Sequence, residues 1–186
     1  MSEIGIGRTG GTTVIAIEGD ITRQPVEAVV NPANPVLQHN EGIATSMVRT
    51  GGRVIQEESD EWVLDNGPLD PGQAAVTTGG MLQASHVIHI VGPTYGATDS
   101  PDAVLTAAVE AALDAVRDHG LRSVAFPAIS SGRRSVHAPT VTRLIVNAVA
   151  DWLEANPDTI ADVTLVGSGR KEARLFSRAL EERLGG

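Results

Sequence analysis

Cysteine is absent from this 186-residue chain, which excludes disulfides, thiolate zinc sites and cysteine nucleophiles while leaving the redox compartment open. Aromatic residues make up only 3% of the sequence, which argues against nucleic-acid binding by stacking bases on a row of rings. Positive charge is also short. Fourteen Lys and Arg face 23 Asp and Glu, for a net charge of −9 and a pI near 4.9. Such a surface repels polyanions, so an anionic ligand needs a locally favourable pocket. Lys171 is the only lysine. No stretch approaches the roughly 20 consecutive apolar residues of a membrane span, and the opening MSEIGIGRTGG lacks the charged-then-apolar layout of a secretory signal. A cytoplasmic protein with no membrane partner is the expectation.

What is present reads as one globular domain. Hydrophobic residues at 41% and charged residues at 20% are near the globular average, and the length suits a single core. Residues 1–13, with Gly5, Gly7, Gly10 and Gly11, read as a loose or edge segment, and residues 14–186 as the domain. Six short β-branched runs at 14–17, 28–30, 74–77, 87–91, 124–126 and 163–166 read as buried strands. Stretches 103–117, 139–153 and 172–184 carry apolar residues at helical spacing. Residues 43–58 add a fourth helical stretch, with Gly51 and Gly52 marking a break or close packing. The alternation predicts an α/β fold, a three-layer α/β/α sandwich around a mixed, largely parallel six-stranded sheet.

Ligands of open α/β sheets bind beyond the carboxyl ends of the strands, so the residues following each strand matter most. Small, polar and glycine residues gather there: Gly19-Asp20-Ile21-Thr22, Asn31-Pro32-Ala33-Asn34, Gly92-Pro93, Ser130-Ser131-Gly132-Arg133-Arg134, and Gly167-Ser168-Gly169. Four of these blocks, Gly19 through Thr22, Val29 through Asn34, Val87 through Pro93 and Ala125 through Gly132, resemble in order and spacing the signature blocks of macrodomains. The resemblance spans residues 14–184 and implies an ADP-ribose-binding cleft.

Two jobs are open to Asp20: accepting from an adenine amino group, or capping its own turn. The resemblance favours the first, with Ile21 beside it. It also assigns Asn34 to the distal ribose, the only catalytic candidate, against a turn role before Pro35. Asn31 reads as structural. Ser130, Ser131 and Gly132 would converge backbone N–H groups on a diphosphate, with Arg133 and Arg134 supplying further donors. Gly42 and Ile43 are the remainder of a glycine run, since His39-Asn40-Glu41 stands where macrodomains carry glycines. Glu41 places a carboxylate near phosphates, and His39, a ligand or base or more commonly an exposed loop histidine, is left unassigned.

The hydrolytic branch of the family carries an acid and a histidine where this chain has Ala44 and Val48, neither able to move a proton. Ser168 stands where some binders stack an aromatic on adenine, and the aromatic near Arg134 is missing. His86 and His89 fall on opposite faces of one strand, so no metal is expected, and no cofactor either. Trp62 and Trp152 read as packing residues. The resemblance thus implies binding of ADP-ribose or a derivative, free or on ADP-ribosylated proteins. Two alternatives stay open: a hydrolase of ADP-ribosylated protein, O-acetyl-ADP-ribose or ADP-ribose 1''-phosphate using a substrate-positioned water, and a pocket diverged to another nucleotide.

Overall fold

The computed structural model describes residues 2–94, 98–129 and 138–185. Its strands are β1 (Ser2–Thr9), β2 (Thr12–Glu18), β3 (Ala28–Ala33), β4 (Ala74–Thr78), β5 (His86–Val91), β6 (Ser123–Pro127) and β7 (Asp162–Gly167). They form one sheet in the order β1-β2-β7-β6-β3-β5-β4. The central β2, β7, β6, β3 and β5 are mutually parallel, and both outer strands run antiparallel to their neighbours. The sheet is therefore mixed and largely parallel, but with seven strands rather than six. The additional strand is β1, whose glycines dilute the alternating pattern that marks a strand in sequence. It folds back on β2 through Gly10 and Gly11, at φ +56° and +81°, a pair of left-handed residues that matches the twist of a two-residue hairpin.

One face of the sheet is covered by α3 (Pro101–Asp118), α4 (Ala138–Ala155) and α5 (Arg170–Leu184), the other by α1 (Gly42–Gly51) and α2 (Val54–Asn66). The larger core lies on the first face, where Val14, Ala16, Val163 and Leu165 of the strands meet Leu105, Leu113, Ile145 and Phe176 of the helices. A parallel sheet covered on both faces needs strands apolar in both directions, which is why β5 and β7 read as apolar runs broken only at His89 and Thr164. Trp152 packs in this core and donates from Nε1 to Asp114 Oδ1 at 3.1 Å. Trp62 packs beside a smaller cluster of Leu37, Leu69, Ala75 and Val91.

The helical stretch beginning near residue 43 breaks at Gly51 and Gly52. Gly52 adopts φ +98° and donates to Val48 O, while a Cβ on Gly51 would meet Gly79 O at 2.7 Å. The break and the close approach coincide, and they let α2 turn back along the sheet beside β4. No helix among the described residues is long and apolar enough to cross a membrane.

Candidate functional site

Because five strands run in parallel, their carboxyl ends open on one edge of the sheet, and a cleft of about 1060 Å³ lies there. Its lining comes from the turn after β2 (Gly19, Asp20, Ile21), from Pro32 of β3, from the start of α1 (Glu41, Gly42, Ile43, Ser46), and from Pro127 and Ala128 at the end of β6. Val166, Ser168 and Glu172 complete it from β7 and α5. Asp20, Ile21, Gly42, Ile43 and Ser168 are thus brought together. Ser130, Ser131, Gly132, Arg133 and Arg134 lie outside the described residues.

Asp20 caps its own turn with one carboxylate oxygen and leaves the other toward the cleft. Oδ1 accepts from Thr22 N at 2.9 Å and Thr22 Oγ1 at 2.8 Å, capping the single 3-10 turn Ile21–Arg23. Oδ2 lies 3.8 Å from Arg23 Nε, and the side chain is 54% exposed, so this oxygen remains open to a donor in the cleft.

Asn34 is not among the residues lining the cleft. Its Nδ2 donates to Gln38 O at 2.7 Å and its Oδ1 accepts from Gln38 N at 3.1 Å, so the amide closes its own loop. A ribose would have to displace these bonds to use it.

The loop 34–41 is held from beneath by α2. Gln56 accepts from His39 N and donates to Leu37 O, each at 3.0 Å, and Asp60 Oδ1 accepts from both Gln38 and Gln56 at 2.8 Å. His39, unassigned from the sequence, is not the exposed residue that loop histidines commonly are: it is buried, at 7% exposure. Its ring stacks on that of His89, with centroids 4.8 Å apart. Ser59 Oγ donates to Ile55 O at 2.7 Å, so at 2.9 Å it accepts from His39 Nε2–H. Thr77 Oγ1 likewise donates to Thr78 O and accepts from His89 Nε2–H at 2.9 Å. Both Nδ1 atoms are then acceptors, and both face Asn31 Nδ2, at 3.4 Å from His39 and 3.0 Å from His89. One amide group thereby clamps two neutral imidazoles, and Asn31 Oδ1 is left without a partner among the described residues. Burial pushes the pKa of His89 down to about 3, with His39 adding to the shift; burial also lowers His39, opposed by Asp60.

His39 is directed into the core, away from the cleft, whereas Glu41 lines it. The start of α1 faces the cleft. No side chain caps α1, so the N–H groups of Gly42, Ile43 and Ala44 lack intrahelical acceptors, at the positive end of the helix dipole. Gly42 sits at φ +58° with no atom near the position of a Cβ. Gly42→Ala is therefore expected to cost about 1–2 kcal/mol in backbone strain alone, measurable as a lower denaturation midpoint with no change in slope. At the other wall, Glu172 Oε2 accepts from Ser168 N at 2.8 Å and Ser168 Oγ at 3.0 Å, closing the first turn of α5. Three carboxylates, those of Asp20, Glu41 and Glu172, line the cleft, and no arginine does so among the described residues. Ser46 and Glu172 were missed in the sequence. Ser46 is four residues beyond Gly42, one turn along α1, and that spacing was the available signal.

Residues 30–145 match the family model for the Macro domain. This chain belongs to that family. A protein of Sulfolobus acidocaldarius is 37% identical over 176 residues, covering 95% of this chain and 94% of its own. Human protein mono-ADP-ribosyltransferase PARP14 is 33% identical over 92% of this chain, which spans only 10% of that protein's length. A Thermotoga maritima relative, 37% identical over 89% of this chain, is likewise longer, with 28% of it spanned. Among solved structures, the Oceanobacillus iheyensis macrodomain with ADP superposes at a TM-score of 0.91 with 23% identity, covering 97% of this chain and 96% of that one. The Trypanosoma brucei macrodomain in complex with ADP-ribose superposes at 0.80 with 21% identity, covering 90% and 68%. In this macrodomain Ala44 is buried and Val48 packs against the core beneath α1, so neither brings a polar group to the cleft. His86, partly exposed, meets Ser85 Oγ at 2.9 Å, apart from the His89 cluster. Groups of three or more metal-ligating residues are absent among the described residues.

Proposed function

We propose that this macrodomain binds ADP-ribose or an ADP-ribose derivative, free or attached to protein, in the cleft at the carboxyl ends of its parallel strands. The observation that carries the reading is the pairing, across one cleft, of an open carboxylate oxygen at Asp20 with the uncapped start of α1 at Gly42 and Ile43. An exocyclic amine is a donor and suits Asp20; a diphosphate is an acceptor and suits N–H groups at a helix start. ADP and ADP-ribose in the related structures supply the ligand class. Ser130, Ser131, Gly132, Arg133 and Arg134 are proposed to supply donors to the diphosphate, and Asn34 to meet the distal ribose after releasing Gln38. Among the described residues the lining holds no histidine, and Ala44 and Val48 offer no proton, so binding without turnover is the proposed activity.

Asp20→Asn separates recognition from capping. The variant keeps an oxygen to accept from Thr22 but presents an amide donor to the adenine amine. ADP-ribose affinity is expected to fall about 10–100-fold, the value of a hydrogen bond to a charged group, with the unfolding midpoint little changed. Equal affinity would reject the role given to Asp20. Incubation with ADP-ribosylated protein and O-acetyl-ADP-ribose is expected to release no product above the buffer rate; release would move the protein to the hydrolases.

A further inference from the structure

The sheet has two edges, and they are protected differently. At β4, a five-residue strand, Glu58 of α2 accepts from Thr78 N and Oγ1. At β1, an eight-residue strand, no neighbour among the described residues pairs with the outer side. Its hairpin partners are Thr9 with Thr12, Gly7 with Val14, and Ile6 with Ile15. A two-residue turn closes on a hydrogen-bonded pair, and such pairs alternate along an antiparallel ladder. Thr9 and Gly7 therefore direct their backbone groups to β2, whereas Ile6 and Arg8 direct theirs outward, to the open edge.

The side chains at this edge carry a second regularity. Ile6 and Arg8 pair with Ile15 and Thr13, on the face opposite α5, and Ile6 is 53% exposed. Strict alternation would put Glu3 on the other face. A register shift between Glu3 and Gly5 instead pairs Glu3 with Ile17, the same face as Ile15. One exposed apolar residue is thereby flanked, on one side of the sheet, by an exposed acid and an exposed base. On the reverse side Gly5 and Gly7 leave no side chain, since α5 comes so close that added Cβ atoms would sit 2.6 Å from Ser177 Oγ and 2.9 Å from Leu184 Cβ.

We propose that β1 is a self-association edge that pairs antiparallel with β1 of a second copy, about a two-fold axis through Ile6. In this register Ile6 faces the partner's Ile6 and Gly5 faces the partner's Gly7. Each bulge sets two residues against one, which brings Glu3 opposite the partner's Arg8, and the symmetry repeats the ion pair on the other side of the axis. The outward backbone groups of Ile6 exchange two hydrogen bonds with their counterparts. The two α5 helices, each beneath its own β1, come side by side and extend the interface beyond the strands. Bulges and charges normally shield an edge strand. Here their spacing is complementary to itself, so they select one partner, a second copy of this chain.

Light scattering across a concentration series tests this. The wild-type chain is expected to rise from 19.4 kDa toward twice that mass. Arg8→Glu and Glu3→Arg, both at exposed positions, each set two like charges face to face and are expected to weaken association about tenfold. The double variant Glu3→Arg with Arg8→Glu restores opposite charges and is expected to recover it. A mass that stays monomeric at every concentration overturns the proposal. So does a dimer indifferent to Arg8→Glu, which would use another face, or a double variant that remains as weak as the singles, which would reject the register.

Discussion

Between pH 7 and pH 4 the unfolding free energy is expected to fall by about 3 kcal/mol through His89 alone. In the unfolded chain this residue titrates near its ordinary value of 6.5, and in the fold it titrates near 3. Across that window the unfolded state binds a proton that the folded state refuses, so stability is full above the unfolded value and declines as the pH drops. The slope is about 1.4 kcal/mol per pH unit until the folded value is reached, below which it levels. His39, also lowered, contributes in the same direction. The main physical cause is burial, and the clamp described above offers no relief from it: each imidazole already donates from Nε2 and receives the Asn31 amide at Nδ1, so a proton at Nδ1 would set donor against donor. Denaturant titrations of the wild type and His89→Gln at pH 7, 5.5 and 4 measure it. The variant is expected to be the less stable at pH 7 and to approach the wild type as the pH falls. Parallel curves would show that His89 is not the acid-sensitive group.

Phe126→Ala is expected to destabilise the fold by about 3–5 kcal/mol, the range for emptying a phenylalanine site in a core. Phe126 and Phe176 are the chain's two phenylalanines, and both are fully buried. Apart from Trp152, the rest of this core is assembled from smaller aliphatic side chains, so few neighbours are large enough to refill the space. For a domain of this size the loss corresponds to roughly 10 °C in melting temperature. Phe126 also precedes Pro127 and Ala128 in the cleft wall, so ligand affinity is expected to decline with stability. A loss below about 1 kcal/mol would mean that the core closes over the vacancy.

Much of the fold was legible in the sequence because the parallel strands are apolar on both faces. Val87, Ile88 and Ile90, or Val163, Leu165 and Val166, announce burial without reference to any other segment. β1 was not legible as a strand for the opposite reason. Gly5 and Gly7 exist to admit α5, a contact with residues near the other end of the chain, and they erase the local pattern. The site divides in the same way. Asp20, Gly42 and Ser168 follow strands or open helices, so their position could be read from topology, and the cleft contains them. His39 could not be placed, because its partners Asn31, Ser59 and His89 come from three other elements. The same contacts set the three side chains apart: the histidine turns inward, while Asn40 and Glu41 are exposed. For Asn34 the sequence offered two roles and the fold displays the turn, since its amide already bridges Gln38.

Calorimetric titration of the wild-type chain with ADP-ribose, ADP and AMP is the most direct measurement of the central claim. The account predicts saturable heat with ADP-ribose at one site per chain, with binding weakening in the order ADP-ribose, ADP, AMP as the distal ribose and then a phosphate facing the start of α1 are removed. No heat with ADP-ribose, or an affinity for AMP equal to that for ADP-ribose, would contradict it.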